Sequence, residues 1–280
     1  MPEVPVHDGE VPYVTADQMR EVDRAMIEDY GIVLLQMMEN AGRSLAHLAR
    51  VRFLGGDPRG KSLVVLAGTG GNGGGALVAA RYLHNHGAHV TVFVTGADDD
   101  FRAAPARQLG ILRRMQISVS PASVLPDSAA TDLILDGLIG YSLHGAPRGA
   151  AADLIRWANS QGAPILALDV PSGVDATTGA VFEPAIRAAA TMTLALPKEE
   201  LRAPGAAEAV GELYLADISV PPELYAAHSF PAGYQIQRGH DGRRFTRAQQ
   251  VHMVGNSVPV GMGAALIRSV WRPFEQARAA

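Results

Sequence analysis

Three short stretches carry the residue types that could do chemistry. The first, "LVVLAGTGGNGGGALVAARYL" from Leu63 to Leu83, places six glycines between an apolar run and a helix-like one. Gly68, Gly70 and Gly73 satisfy the dinucleotide pattern G-x-G-x-x-G. Successive backbone N–H groups at a helix start can cradle an anion, and glycines let a ligand approach the backbone closely. The second and third stretches, "DLILDGLIGYSLHGAPRG" and "PILALDVPSGVDATTG", each end an apolar run on an aspartate, Asp136 and Asp169. Two carboxylates at strand ends suit acid–base or cation work. Ser172 and Asn72 add neutral oxygens, which suit a hard cation rather than zinc.

Two nucleotide patterns need their context checked. A Rossmann loop requires an acidic residue at the end of the following strand to hold a ribose. Here that strand ends "VTVFVTG", with Thr95 and Gly96 where the acid should stand, so ordinary NAD hydride chemistry is disfavoured. "GGDPRGKS" (Gly55 to Ser62) matches the phosphate-binding loop G-x-x-x-x-G-K-S. That motif must leave a strand and open a helix. Here a helix ends near Leu54 and a strand starts near Leu63, which makes it a helix-to-strand turn. The nine histidines show no metal-binding spacing, and His84, His86 and His89 read as surface residues.

The elements that position these stretches alternate. Thr15–Gln18, "TADQ", forms a capping box ahead of Met19, Val22 and Met26 at helical spacing, with Gly31 as a C-cap. A second helix follows over Leu34–Leu54. Strands are expected at Leu63–Ala67, Val90–Val94, Leu133–Leu135, Ile165–Leu168, Thr191–Leu194 and Glu212–Ala216. Helices are expected near Ala76–His86, Pro105–Met115 and Ala150–Ser160. Strands apolar on both faces and separated by helices imply a mostly parallel sheet covered on both sides. In such sheets ligands bind beyond the strands' carboxyl ends, where the polar residues above are expected.

Composition bounds the rest. With 280 residues, 48% hydrophobic and 19% charged, the chain can bury one large core, or a core plus an appendage. No apolar run reaches the roughly 18 residues of a membrane span, and the acidic, proline-bearing N-terminus is no secretory signal. The chain has no cysteine, which excludes disulfides and Cys nucleophiles, and a cytoplasmic location is the default. A net charge of −4 makes no global case for nucleic-acid binding. Charge is uneven, however: seven arginines face Asp241 and Glu275 from Phe230 onward. The expected organisation is a flexible tail at 1–12, a domain at 13–229 and a basic appendage at 230–280.

The ordered motifs "REVDRAMIEDYGI…LLQMMENAGR", "LAGTGGNGGGALVAARYL", "DLILDGLIGYSLHGAPRG", "LALDVPSGVDATTG", "TMTLALPK" and "GELYLADISVPPELY" resemble the NAD(P)H-hydrate epimerases, the YjeF N-terminal domain family. The resemblance runs from about Val14 to Tyr225. It implies a three-layer α/β/α Rossmann-like sandwich with two N-terminal helices, usually dimeric. It also implies repair of damaged nicotinamide cofactors, interconverting the R and S hydrates of NADH and NADPH for a separate dehydratase. Carried over by position, Asn72, Asp136 and Ser172 match potassium ligands. Gly71, Asn72, Gly73, Gly74, Gly75, then Gly140, Tyr141, Ser142, Leu143, His144, Gly145, Ala146, and Asp169 match substrate-binding stretches. The chemistry needs a group to assist loss and return of water, or ring opening, at the hydrated carbon. Asp136 and Asp169 are the candidates, with Lys198 of "LPK" behind them.

The departure falls on the glycine loop. The family usually reads N-N-G-G-D-G where this chain reads G-N-G-G-G-A, so Gly71 replaces an asparagine and Gly75 the acid. A nucleotide-binding scaffold without turnover is therefore the alternative. Beyond the domain, "FPAGYQIQRGHDGRRFTRAQQVHMVGNSVPVGMGAALIRSVW" (Phe230 to Trp271) resembles the C-terminal end of cytosine-5 DNA methyltransferases. Such enzymes attack the base with a cysteine, so methyl transfer by this chain alone is excluded. Arg243, Arg244 and Arg247 leave open a third reading, a DNA-associated protein acting through its tail, although a solvated face is the commoner use of such a run.

Overall fold

A computed structural model describes residues 13–221 and Leu224. It divides the chain into units Met1–Ser219 and Val220–Ala280, and the first is described below. The expectations for residues 1–12 and for the basic appendage at 230–280 lie outside the described residues.

Helix α1 (Ala16–Glu28) starts from the capping box as read: Gln18 N–H donates to Thr15 Oγ1 and Thr15 N–H to Gln18 Oε1. Its C-cap is Asp29 rather than Gly31, and Gly31 turns the chain two residues later at φ +69°. Helix α2 (Leu34–Leu48) runs on into a wider π-type turn over Ala49–Phe53, together covering nearly the expected span. Gly55, Gly56 and Gly60, all at positive φ, then make the helix-to-strand turn expected of the GKS motif.

The rest alternates: β1 (Ser62–Ala67), α3 (Gly71–Asn85), β2 (His89–Val94), α4 (Ala103–Arg114), β3 (Ser118–Pro121), β4 (Leu133–Gly137), α5 (Gly149–Ser160), β5 (Ile165–Leu168), β6 (Ala190–Leu194), α6 (Ala207–Val210) and β7 (Glu212–Ala216). The seven strands form one sheet in the order β3-β2-β1-β4-β5-β6-β7. Every pairing is parallel, so the sheet is wholly rather than mostly parallel. Strand β3 is an edge strand that periodicity missed. Its residues, "SVSP", bury only Val119 and lack the apolar run of the central strands.

Alternation along β1 shows how both faces are covered. Leu63, Val65 and Ala67 pack with α2, α3 and α4, while Val64 and Leu66 pack with α5 on the opposite face. Helices α2 and α3 approach closely at Gly42, where a Cβ would lie 2.4 Å from the Val78 Cβ. Such contacts define the three-layer α/β/α sandwich.

The chain order reverses between β1 and β4, so the loops after these strands leave a crevice at their carboxyl ends. Two glycines draw those loops together. A Cβ on Gly68 would lie 2.0 Å from the Leu138 carbonyl oxygen, and one on Gly73 would lie 1.8 Å from the Gly68 carbonyl oxygen. Backbone cannot yield as a side-chain tip does. Gly73→Ala should therefore cost at least the roughly 1–3 kcal/mol typical of overpacking. Gly70→Ala, with open space within 4 Å of its Cβ, should cost far less. Urea denaturation of the two variants checks the contrast.

Candidate functional site

The crevice deepens into a cavity of about 470 Å³. The turn after β1 supplies Gly68 to Asn72, and α3 adds Gly75. The loop after β4 supplies Leu138 to Ser142, Asp169 stands at the end of β5, and Lys198 follows β6. The opposite wall comes from α1 and α2, through Met19, Asp23, Met37 and Met38. Thr95, at the position where a ribose-binding acid would stand, also lines it. The start of α3 has Gly70 as its N-cap with no side-chain cap, and Gly70, Gly71 and Asn72 at this helix N-terminus line the cavity.

Helix α3 begins at Gly71, five residues before the expected start. Glycine lowers helix propensity, but the tight packing of this turn against Gly68, Met38 and Leu168 overrides it. Gly71 and Gly75 therefore line the cavity. Gly73 and Gly74 are buried in packing, Gly74 against the Met38 thioether. The space where a side chain at position 75 would begin is taken by Leu168, whose Cδ2 would lie 2.8 Å from a Cβ there. A side chain at position 75 would have to displace this leucine methyl.

The two strand-end aspartates fall into different settings. Asp136 is fully buried and does not line the cavity. Its carboxylate accepts from Ser172 Oγ at 2.6 Å, Ser172 N–H at 2.8 Å and Leu138 N–H at 3.1 Å. Burial outweighs these bonds and pushes its pKa up to about 6. Ser172 Oγ also accepts from Ile139 N–H at 2.9 Å, so one hydroxyl ties the β4 loop to the β5 loop. Asn72 Nδ2 donates to the Leu168 carbonyl at 3.0 Å, and its Oδ1 lies 3.5 Å from where a Gly140 Cβ would stand. Asn72, Asp136 and Ser172 thus hang on the same two loops, and the atoms they could offer a cation are all oxygen. Among the described residues, no group of three or more His, Cys, Asp or Glu side chains is placed to hold a metal ion.

Asp169 lines the cavity, 3% exposed, in a left-handed conformation at φ +67°. Its Oδ1 accepts from the Leu194 N–H at 3.2 Å and from the Lys198 ammonium. Lys198, itself fully buried, also donates to the Leu194 carbonyl at 3.1 Å. The segment that carries Lys198 is tied to Val14, just ahead of α1. The Val14 N–H donates to the Pro197 carbonyl at 2.9 Å, and the Val14 carbonyl accepts from Glu199 N–H at 3.0 Å. Tyr141 spans the remaining gap: its hydroxyl donates to Asp23 Oδ2 at 2.5 Å, and its ring lies 5.8 Å from Lys198 Nζ. Burial and the Asp23 carboxylate push the Tyr141 hydroxyl well above the usual phenol range.

Of the residues singled out by their motifs, then, Gly71, Asn72, Gly75, Gly140, Tyr141, Ser142, Asp169 and Lys198 meet at the cavity. Leu143, His144, Gly145 and Ala146 run on beyond its lining, with Leu143 buried and His144 exposed. Sequence reasoning passed over Asp23. It sits within an amphipathic helix whose buried face is Met19, Val22 and Met26, and its spacing alone reads as a solvated polar position. His84, His86 and His89 are exposed, as expected.

The fold is a parallel α/β sandwich with a cavity at its strand ends. The family model for YjeF-related protein N-terminus matches residues 34–200, and the chain belongs to that family. It is 44% identical to the NAD(P)H-hydrate epimerase of Dehalogenimonas lykanthroporepellens, over 80% of this chain and 91% of that one. It is 33% identical to the epimerase of Rhodopirellula baltica, over 77% of this chain and 87% of that one. The bifunctional NAD(P)H-hydrate repair enzyme Nnr of Salinibacter ruber is 36% identical, and the chain spans 41% of its length. The crystal structure of the yeast protein YNL200c superposes with a TM-score of 0.65 at 26% identity, over 84% of this chain and all of that one.

The Asp136 environment has a measurable consequence. A carboxyl whose folded pKa is raised releases its proton first from the unfolded chain, so stability falls as pH rises from its ordinary value of 3.8 to about 6. The full loss is about 3 kcal/mol, complete above the folded pKa. In choline buffers, Asp136→Asn should flatten this part of the stability–pH curve, as denaturant titrations from pH 4 to 7 will show.

Proposed function

We propose that this chain interconverts the R and S hydrates of NADH and NADPH as a step of nicotinamide cofactor repair. The observation that carries this reading is the cavity. It combines a glycine-rich helix N-terminus suited to an anionic nucleotide with a buried Asp169–Lys198 pair suited to proton transfer. The names of the D. lykanthroporepellens and R. baltica relatives, which this chain matches over most of their length, support the same reaction.

Hydration of a dihydronicotinamide leaves a hydroxyl on the ring carbon bonded to nitrogen. The nitrogen lone pair can expel that hydroxyl, provided a proton reaches it, and water can then return. In this reading Gly71, Asn72 and Gly75 receive the nucleotide together with Gly140, Tyr141 and Ser142. Gly73, Gly74 and the stretch from Leu143 through His144 and Gly145 to Ala146 shape the loops that hold them. Asp169 is the proton-transfer residue, because its carboxylate is in the cavity. Lys198 orients it, and the Leu194 N–H holds it in its left-handed turn. Asp136, beneath the floor, acts through the loops it joins.

A potassium ion is the proposed companion, held by Asn72, Asp136 and Ser172. The residues suit it: the atoms they could offer are hard oxygens, and a fully buried carboxylate with a raised pKa gains from a neighbouring positive charge. The ion would supply that charge. The proposed setting is a cytoplasmic homodimer that passes its product to a separate NAD(P)H-hydrate dehydratase. Bifunctional Nnr relatives, of which this chain covers about two-fifths to one half, support the link to that second activity. Among the described residues, no helix is long and apolar enough to cross a membrane.

Two measurements follow. Adding the protein to the R-hydrate of NADH with an S-specific dehydratase should speed complete repair, and Asp169→Asn should lower that rate by at least about 100-fold. Unchanged repair on adding the wild type would refute the reading. Replacing choline by potassium at constant ionic strength should raise the melting temperature by about 2–4 °C for each kcal/mol of binding. Asp136→Asn should erase the difference.

A further inference from the structure

The cavity contains a second carboxylate, Asp23, brought in by α1 rather than by any strand-end motif. Building on the cofactor-repair reading, we propose that Asp23 is a catalytic residue for that reaction, working on the face of the hydrated ring opposite Asp169. Inversion at one carbon sets the requirement. Hydroxide must leave one face with a proton, and water must add to the other face while losing one. A single carboxyl on one side serves only one of these events. Two carboxyls on separate walls serve both.

Asp23 and Asp169 come from separate elements, α1 and the end of β5, and both line the same space. Their surroundings differ in the way such a pair needs. Asp169 lies against the Lys198 ammonium and accepts the Leu194 N–H. Asp23 has no such ion pair among the described residues. Burial, and then the charge of Asp169, push its pKa above the ordinary carboxylate range, while the Tyr141 bond and Lys198 pull the other way. The Tyr141 hydroxyl occupies Asp23 Oδ2, and among the described residues no hydrogen bond occupies Oδ1. Arg20, also on α1, places its guanidinium 5.9 Å from the Tyr141 ring centre.

The step balances. Protonated Asp23 gives its proton to the ring hydroxyl as the C–O bond breaks, releasing water and leaving a cation shared between carbon and ring nitrogen. A water on the other face forms the new C–O bond, the nitrogen regains its electron pair, and the water's proton passes to Asp169. The opposite isomer runs the same path backwards, with Asp169 as acid and Asp23 as base.

The test uses a single purified hydrate isomer, in water enriched in oxygen-18, with isomers separated by chromatography and weighed by mass spectrometry. The wild type should give the inverted isomer carrying oxygen-18. Asp23→Asn should lower kcat by about 100-fold or more while leaving KM within threefold. With the isomer whose hydroxyl Asp23 protonates, it should also remove the fall in kcat at rising pH that loss of the Asp23 proton causes. Asp23→Glu should restore part of the rate. Should Asp23→Asn fail to fold by thermal melting, Tyr141→Phe, which keeps the carboxylate, should lower kcat and move that alkaline limb. A kcat within threefold of wild type in Asp23→Asn, or an unchanged rate and pH profile in Tyr141→Phe, would overturn the proposal. So would an inverted product that retains its original oxygen, which indicates ring opening. Absence of conversion by the wild type would instead overturn the cofactor-repair reading, and this proposal with it.

Discussion

The buried pair of Asp169 and Lys198 is the interaction on which the site depends. Asp169 sits in a left-handed conformation that a non-glycine residue adopts at a cost. The Leu194 N–H and the Lys198 ammonium hold it there. A buried ion pair is not by itself a source of stability, because desolvating both charges offsets their attraction. What it supplies here is geometry. The lysine's backbone neighbours, Pro197 and Glu199, bond Val14 on both sides, so the same segment that neutralises Asp169 fixes where α1 begins. The ends of β5, β6 and the first helix are thereby set relative to one another.

Around that pair the two sides of the cavity are built by opposite means. The β1 and β4 loops meet through absent side chains, since Gly68 and Gly73 permit backbone contacts that any Cβ would block. The α1 and α2 wall meets them through side chains, with Met37 and Met38 supplying adaptable apolar surface. Below, Asp136 and Ser172 lock the β4 and β5 loops in a buried polar knot. Burial outweighs the hydrogen bonds of that knot and pushes the Asp136 pKa up to about 6. A polar network is retained at the junction of two loops, where an apolar substitute would pack but would not fix their relative height.

Much of this was legible from residue pattern. The central strands announce themselves as apolar runs because helices cover both faces, and "TADQ" names the start of α1 because capping is local chemistry. Asp136 and Asp169 stand out because each ends an apolar run that reads as a parallel strand, where such sheets bind ligands. Elements decided by tertiary context stayed hidden. The glycines at the start of α3 oppose helix formation and are helical only because packing against Met38 and Leu168 leaves no alternative. Strand β3 is half polar and short because it is an edge. Asp23 is concealed by α1's amphipathic pattern, in which nothing local distinguishes a carboxylate facing a cavity from one facing water. Sequence also could not separate the two aspartates, whose strand ends look alike while one lies beneath the floor and the other opens onto the cavity.

The position of the chain reversal has a consequence for how the molecule is made. Strand β1 pairs with β4 at Leu63 and Leu133, across a long intervening stretch that forms its own βαβ units on one side. Closing so long a loop is entropically slow, and parallel pairing gives no return until it is complete. The cavity lies at that seam, drawing one wall from each half of the sheet. A chain with only its first half assembled would have the glycine turn but neither Asp169 nor Lys198. Occupation of the cavity would thus distinguish the finished sheet from the half-built one, stabilising only molecules that have completed their last long-range join.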